Sequence, residues 1–385
     1  MLLLVILAAA SLPMVCKTTG TALPVDSAHF ISGTETSQKI QVAVLLDVSN
    51  SMDGLIAQAK AQLWNMVSVM GRAQCKGATP HIEIALYEYG RPTNPESSGF
   101  VKQINSFTSD LDQVSKNLFG LVTNGGDEYC GHVMYTSLNQ LPWDSSDASY
   151  KVIFIAGNED FYQGDIAYTK ACTEARKKGV IVNTIYCGDR MAGIREHWNM
   201  GSECGTGSFT NINQDAKLED IPTPYDSSLF KLNDKLNDTY ISYGKIGKES
   251  KAKQAEVDQL NFKMNKSVAV KRVGVKGKAK LYNNSTWDLV DAKAADNNFV
   301  SKLDKKTLPD SLQQKSEKEL GELIVVKSKE RAAVQQAIDT IAAKREIWLV
   351  TERAKTTSTS KNATLESEIE QIVKAQAKRF GMLIP

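Results

Sequence analysis

Three oxygen-bearing side chains alternate at the end of an apolar run: Asp47, Ser49 and Ser51, in the stretch "VAVLLDVSNSMDG" (residues 42–54). A carboxylate and two hydroxyls are hard ligands, and Mg²⁺ takes about six oxygens at roughly 2.1 Å while keeping several waters. Side chains at alternating positions can point the same way, so these three could supply half of such a shell. The alternative is helix capping, because Ser and Asp are also preferred where a helix begins.

The surrounding sequence predicts the elements that would position these oxygens. Three apolar runs rich in β-branched residues predict strands buried on both faces: Ile40–Val48, Tyr150–Asn158 and Val180–Gly188. A fourth run, His81–Gly90, alternates as an edge or half-exposed strand does. Helical periodicity is found at residues 54–73, 110–122, 129–141 and 166–180. This alternation predicts a doubly wound, mostly parallel α/β sheet, in which ligands bind beyond the C-terminal ends of the strands, where Asp47 and Gly157 lie.

In this context "DVSNS" resembles the von Willebrand factor A (VWA) family, whose Asp-x-Ser-x-Ser motif it matches residue for residue. The resemblance covers roughly Ile40 to Tyr240 in the order of strands and helices, and we place the VWA domain at residues 38–243. It implies a Rossmann-like sheet with a metal-ion-dependent adhesion site (MIDAS) at its top, the edge formed by the C-terminal strand ends. In that site the ion also takes an acidic group from the protein's ligand.

The chain departs from the family pattern at the second element of the MIDAS. Where the family has a Thr just before a helix, this chain has "TNGGDEYCGHVM" (residues 123–134). Counting back from the first apolar helical position favours Glu128 as the replacement, with Asp127 as the second choice. His132 is a weaker candidate, because a histidine on a helix is more often packed or solvated.

It departs again at the third element, which in the family is Thr-Asp-Gly after the second central strand. The corresponding stretch is "IAGNEDF" (residues 155–161), with Gly157 where the Asp is expected. Asn158, Glu159 or Asp160 are candidates to compensate. Exchanging Thr for Glu and Asp for Gly leaves the number of carboxylates unchanged. The predicted ligands of a Mg²⁺ ion, or of Mn²⁺ or Ca²⁺ in its place, are therefore Asp47, Ser49, Ser51 and Glu128.

Residues 244–385 predict an α-helical, charged C-terminal region rich in Lys, Glu, Gln and Ala. One long helical pattern opens with a capping box, Ser316-x-x-Glu319, and a second follows the polar stretch "TTSTSKN" (residues 356–362). Two such helices with a short linker predict an antiparallel hairpin of the coiled-coil kind. Residues 226–385 carry 30 Lys and Arg against 21 Asp and Glu, and residues 1–225 carry 16 against 23. This asymmetry indicates two units.

The N-terminus predicts export. The apolar stretch Leu2–Ala10 has the length of a secretory signal and is too short to span a bilayer as an anchor. We expect a signal peptide at residues 1–22, or a lipoprotein signal ending at Cys16; a buried N-terminal strand is the remaining alternative. The expected location is the periplasm or cell envelope, with membrane attachment only through lipidation of Cys16.

The other five cysteines show no CxxC spacing, so we expect bridges or buried thiols instead of a zinc or redox site. In an oxidising compartment one or two disulfides are expected, leaving at least one free thiol. We expect Cys187 to pair with Cys204, because both lie in or beside one loop-like stretch.

The motifs of several enzyme classes are missing, including the phosphate-binding loop, the nucleophile elbow and the metalloprotease pattern, so no enzyme is predicted. Lys263–Lys280 holds seven cations and no acid. Without interleaved aromatic residues it predicts a solvated face and not a nucleic-acid site. The leading hypothesis is an exported, bacterial-type VWA protein that binds an acidic group of a protein partner through Mg²⁺ at the top of the sheet. The alternative is a metal-free scaffold whose C-terminal helices mediate assembly.

Overall fold

The computed structural model describes residues 38–75, 78–212, 220–356 and 365–384, all of which belong to one compact unit. Its centre is a six-stranded sheet. The strands are β1 (Lys39–Asp47), β2 (His81–Tyr89), β3 (Lys102–Thr108), β4 (Tyr150–Gly157), β5 (Val180–Cys187) and β6 (Thr206–Ile212).

The strand order is β3-β2-β1-β4-β5-β6, and every neighbouring pair is parallel except β2 with β3. From β1 the chain first adds β2 and β3 on one side of the sheet, and it then adds β4, β5 and β6 on the other side. This confirms the predicted fold class, a Rossmann-like, doubly wound, mostly parallel sheet followed by a helical region. It also places the end of β1 between the ends of β2 and β4.

Helices cover both faces of the sheet, which explains why β4 and β5 are buried along their whole length. The helices of the sheet region are α1 (Asp53–Met70), α2 (Leu111–Gly120), α3 (Cys130–Gln140), α4 (Tyr168–Lys178), α5 (Arg190–Arg195) and α6 (Trp198–Cys204). Those after it are α7 (Asp226–Asn237), α8 (Gly247–Met264), α9 (Lys266–Lys276), α10 (Leu289–Ala295), α11 (Asp310–Gln313), α12 (Glu317–Thr356) and α13 (Leu365–Ala377).

The two faces of the sheet carry different layers. One face packs against α3, α4 and α6, with Val133, Ala171 and Trp198 among the buried residues. The other packs against α1 and α2, and its core continues into the later helices through residues such as Val257 and Val373. The later helices therefore form a further layer over α1 and α2.

The two long C-terminal patterns are both helical. The predicted capping box is confirmed: the Glu319 carboxylate accepts hydrogen bonds from the backbone N–H and the hydroxyl of Ser316, and the Glu319 N–H donates to that hydroxyl. Helix α12 packs on α7, α9 and α10, whereas α13 packs on α1 and β6.

Three local predictions were wrong. The disulfide joins Cys172 to Cys204, with their Cα atoms 5.8 Å apart, and Cys187 is a buried free thiol. The reason is that α4 packs against α6, while Cys187 ends the buried strand β5. The strand at His81–Tyr89 is internal, because β3 lies outside it. The basic run at 263–280 is not a solvated face throughout, since Arg272 and Lys276 are buried.

Candidate functional site

Asp47 ends the central strand β1, and its side chain is fully buried at the top of the sheet. Its Oδ1 accepts a hydrogen bond from the backbone N–H of Ser49, at 2.7 Å. Its Oδ2 is buried without a hydrogen-bond partner among the described residues. A buried carboxylate oxygen without a partner is costly, so this atom requires either a proton or a ligand.

The two serines of the motif lie in the loop that follows. Ser49 precedes a short 3₁₀ turn (Asn50–Met52), but its side chain makes no capping hydrogen bond there. Instead, its Oγ lies 3.2 Å from Ser51 Oγ, and the Ser51 hydroxyl donates to Asn158 Oδ1, also at 3.2 Å. The hydroxyls therefore face each other and the loop after β4, and they are not used to cap the helix that follows.

Glu128 lies next to Asp47 and is also buried, with 8% of its surface exposed. It comes from the loop that leads into α3. Burial, followed by the charge of Asp47, raises the pKa of Glu128 to about 8. Burial likewise raises the pKa of Asp47 to about 7, although hydrogen bonds from Ser49 lower it. The site thus holds two neighbouring carboxyl groups, and the charge of Asp47 makes ionisation of Glu128 harder.

The other two candidates from this loop lie elsewhere. Asp127 is exposed, and its side chain hydrogen-bonds with that of Tyr129. The ring of His132 stacks on Tyr129, at 6.3 Å between ring centroids, and fills the space beside Gly99. Burial lowers the pKa of His132, and the charges that act on it are those of Asp165 and Lys170. The geometry therefore favours Glu128 over both.

Gly157, at the end of β4, leaves no room for a side chain. A β-carbon built there would lie 2.6 Å from Tyr89 Oη, 3.1 Å from the Trp198 ring and 3.2 Å from Asp47 Cβ. Tyr89 and Trp198 are both fully buried. They occupy the volume that an aspartate would need. Neither Tyr89 nor Trp198 was identified from the sequence as a residue of this site, because neither belongs to a motif.

The loop after Gly157 brings two polar side chains toward the site. Asn158 accepts from Ser51, and the charge of Glu159 acts on both Asp47 and Glu128. Asp160 is engaged elsewhere: its Oδ1 accepts from the Tyr162 N–H and lies 3.1 Å from His197 Nδ1. Trp198 Nε1 donates to the Glu159 carbonyl at 2.7 Å, which ties this loop to α6. Of the three compensating candidates, Asn158 and Glu159 are the ones that face the motif.

The residues present are chemically suited to a hard divalent cation. They provide carboxylate, hydroxyl and amide oxygens, which are the ligands that Mg²⁺, Mn²⁺ and Ca²⁺ prefer. Within the described ranges there is no group of three or more His, Cys, Asp or Glu side chains arranged to hold a metal. Beside Asp47, the oxygens that a cation could take are those of Ser49, Ser51 and Glu128, together with water.

No family model matches this chain, and no curated protein matches it either. Among solved structures, it is similar to proximal thread matrix protein 1 from the mussel byssus, in a form with a zinc-occupied MIDAS motif (14% identity, 46% of this chain and 43% of that one, TM-score 0.35). It is also similar to the SpRpn10 VWA domain (12% identity, 47% and 91%, TM-score 0.36). A third match is a von Willebrand factor type A protein from Catenulispora acidiphila (11% identity, 46% and 39%, TM-score 0.33).

This chain thus spans less than half the length of the byssus protein. Two of these three structures are named as von Willebrand factor A domains, and the assignment of the fold of this chain rests on its own strand order. In the described part of the chain, no helix is long and apolar enough to cross a membrane.

Proposed function

We propose that this chain is a protein-binding VWA module that holds a divalent cation at the top of its sheet. The ligands are Asp47, Ser49, Ser51 and Glu128, the ion is Mg²⁺ or, failing that, Mn²⁺ or Ca²⁺, and the partner supplies an acidic group. The observation that carries the proposal is the buried Oδ2 of Asp47, which has no hydrogen-bond partner in the described structure. A second carboxyl group, that of Glu128, lies close enough for the charge of Asp47 to act on it.

The electrostatics of the site support a cation. Two neighbouring buried carboxylates repel each other, and burial deprives both of water. A divalent ion would remove both penalties at once by lying against the Asp47 carboxylate. When bound, the ion would offer an open position to a carboxylate of the partner.

The role proposed for the protein's own residues is to hold and orient. Ser49 fixes Asp47 through its backbone N–H, and Ser51 is held by Asn158. Trp198 holds the loop that carries Glu159. None of these residues is assigned a catalytic role, and we propose binding instead of an enzyme activity.

We also propose that the protein works outside the cytoplasm, in the periplasm or cell envelope. The signal segment at 1–22 and Cys16 lie outside the described residues, so processing and lipidation stay predictions. The support comes from the Cys172–Cys204 disulfide, because such bonds form and persist mainly in oxidising compartments.

The test is thermal unfolding of the chain in Mg²⁺ and in a chelator. A ligand that binds only the native state stabilises it by about 2.7 kcal/mol at a hundredfold excess over its Kd. We expect millimolar Mg²⁺ to raise the Tm of the wild type and to leave that of Asp47→Asn unchanged. Asp127→Asn, which removes an exposed carboxylate beside Glu128, is the matched control and should respond as the wild type does.

If neither Mg²⁺, Mn²⁺ nor Ca²⁺ shifts the wild-type Tm, the metal site is absent. The competing proposal, a metal-free scaffold, would then stand. If the ion binds, partners retained by the wild type in Mg²⁺ should be lost both in chelator and with Asp47→Asn.

A further inference from the structure

A pocket opens at the edge of the sheet opposite to Asp47, where strands β4, β5 and β6 begin. Its volume is about 340 Å³, within the range of about 300–1,000 Å³ that is usual for small-molecule sites. Besides glycine and aliphatic residues, this basal pocket is lined by Asp147, Lys151, Arg176, Thr206, Arg379 and Phe380. The eight residues of β4 separate it from Gly157 by about 25 Å. The basal pocket therefore lies far from the site at Asp47.

Three cations line the basal pocket, and none of them forms an ion pair within the part of the chain that the structure describes. Lys151 Nζ donates to the Asp144 carbonyl at 2.9 Å. Arg379 Nη1 donates to the Thr206 carbonyl at 2.8 Å. The Arg176 side chain is exposed and makes no hydrogen bond to another described residue. Carbonyl groups are thus the partners of two of these cations, and no carboxylate neutralises any of the three.

Lys151 is the buried member of this group, with 2% of its surface exposed. Its ammonium has three N–H donors, of which the Asp144 carbonyl accepts one. The other buried cations of the described chain pair with an aspartate at 2.6–2.8 Å; they are Arg272, Lys276, Arg331 and Arg345. A buried charge without a counter-ion is costly. An anion bound in the basal pocket would supply the counter-ion that Lys151 lacks.

We propose that the basal pocket binds a phosphate monoester, with the phosphate between Lys151, Arg176 and Arg379. These three cations and the single carboxylate of Asp147 leave a net charge of about +2, which matches the charge of about −1.5 to −2 on such a phosphate at pH 7. The two guanidinium groups offer paired donors that fit phosphate oxygens, and the ammonium adds a point charge.

The size of the pocket and its aromatic wall select an organic phosphate. The Phe380 ring is half-buried and packs on Tyr150, at 5.3 Å between ring centroids. Beside it lie the aliphatic side chains of Val180 and Ile181. An inorganic phosphate ion would contact the cations and leave this apolar wall uncovered. A phosphate that carries an aromatic or apolar group fits both parts of the pocket.

The first experiment is calorimetric titration of the purified chain, in a chelator, with phenyl phosphate, glycerol 3-phosphate and inorganic phosphate. All three should bind, and phenyl phosphate should bind at least about tenfold more tightly than the other two, because its ring covers apolar surface. The chelator excludes phosphate held through a divalent ion. For the same reason Asp47→Asn should bind phenyl phosphate as the wild type does.

The second experiment repeats the titration with variants of the charged residues. Lys151→Met and Arg176→Gln should each raise the dissociation constant at least about tenfold, because each removes a charge-assisted hydrogen bond. Asp147→Asn should lower it, because it removes the carboxylate that competes with the ligand for the cations. The control is Lys177→Gln, in the last turn of α4, whose side chain is 63% exposed and pairs with Glu174. It should leave binding unchanged.

Absence of binding by all three phosphates up to about 10 mM would overturn the proposal. Weaker binding by Asp147→Asn, or equal losses in Lys177→Gln and Arg176→Gln, would overturn it as well, since attraction would then not depend on the pocket. Inorganic phosphate that binds as tightly as phenyl phosphate would overturn the role of Phe380. Arg176 and Asp147 are exposed, so their variants keep the test decisive if Lys151→Met fails to fold.

Discussion

At the scale of single residues, Gly157 lies where the surrounding side chains leave no space for a larger residue. Its position is closed by Tyr89 and Trp198, which are buried against the end of β4. The Tyr89 hydroxyl donates to the Ala156 carbonyl at 3.0 Å, so the ring is fixed and cannot swing away freely. Aromatic packing thus fills the place where the sequence comparison expects a carboxylate, and the acidic ligand that we propose beside Asp47 is Glu128.

Gly157→Ala should therefore destabilise the protein by about 1–3 kcal/mol, the usual cost of overpacking a core. The new methyl group would meet Tyr89 Oη at 2.6 Å. Tyr89→Phe removes that oxygen, and on its own it should cost about 1 kcal/mol for the lost hydrogen bond. Urea unfolding of the double variant should show less destabilisation than the two single losses added together. Strict additivity would show that the oxygen is not what closes the position.

The four ligand candidates could be predicted from the sequence because each belongs to a short stretch with its own spacing. Asp47, Ser49 and Ser51 form a motif, and Glu128 could be found by counting back from a helix. Tyr89 and Trp198 reach the site from β2 and α6, and no local pattern links those positions. Their role depends on how the sheet and helices pack, which is a property of the tertiary structure.

At the scale of elements, the burial of α9 could not be predicted from its composition. Its basic sequence suggests exposure, but the helix is enclosed by α1, α7, α8 and α12. Arg272 donates to Asp112 and to Asp258, in both cases at 2.6 Å, and its guanidinium carbon lies 4.7 Å from the centroid of the Trp64 ring. Lys276 pairs with Asp258 at 2.8 Å. The acids that pair with them lie on α2 and α8, so the pairing could not be inferred from the run itself.

The same network predicts a specific loss of stability in acid. Burial alone would raise the pKa of Asp258, but Lys276 and Arg272 outweigh it and hold this pKa well below its usual range. A depressed folded-state pKa stabilises the protein fully above the unfolded value, near 3.9, and this contribution is lost as the pH falls below it. The stability of the wild type should therefore drop between about pH 5 and pH 2.

Asp258→Asn tests this assignment. At pH 7 the variant should be less stable by about 3–5 kcal/mol, because two buried cations lose their shared carboxylate. Its stability should then fall less steeply in acid than that of the wild type, as measured by urea unfolding at each pH. Glu256→Gln removes an exposed carboxylate from the same helix and should keep the wild-type slope. Parallel wild-type and Asp258→Asn curves would rule out Asp258 as the titrating group.

The elements that could be predicted were those with a strong apolar pattern. The buried strands β1, β4 and β5, and the helices α2 and α3, lie close to their predicted bounds. The two edge strands were not identified. Strands β3 ("KQINSFT") and β6 ("TGSFTNI") are polar on one side, as suits a sheet edge that must not attract other chains. Without a run of apolar residues, they were not recognised as strands.

At the scale of the whole molecule, the last α-helix, α13, is hydrogen-bonded to two strands of the sheet. The side-chain amides of Gln376 in α13 and Asn183 in β5 each donate to the other, at 2.7 and 3.1 Å. The Tyr150 hydroxyl of β4 also donates to Gln376 Oε1, at 2.8 Å. On the same side, Trp64 Nε1 of α1 donates to Asn261 Oδ1 of α8. The charge asymmetry along the sequence therefore does not correspond to two independent cores.

We accordingly expect the sheet and the later helices to unfold together. Gln376→Ala should cost about 2–4 kcal/mol, because it leaves the buried polar groups of Asn183 and Tyr150 without their partner. Hydrogen exchange should show this loss equally in β4, β5, α8 and α12, which requires a single cooperative transition. Gln371→Ala, at an exposed position of α13, is the matched control and should change little. If Gln376→Ala loosened only the later helices and left β4 and β5 protected, residues 38–243 would be an independent folding unit, and the boundary predicted from the sequence would also be a boundary in stability.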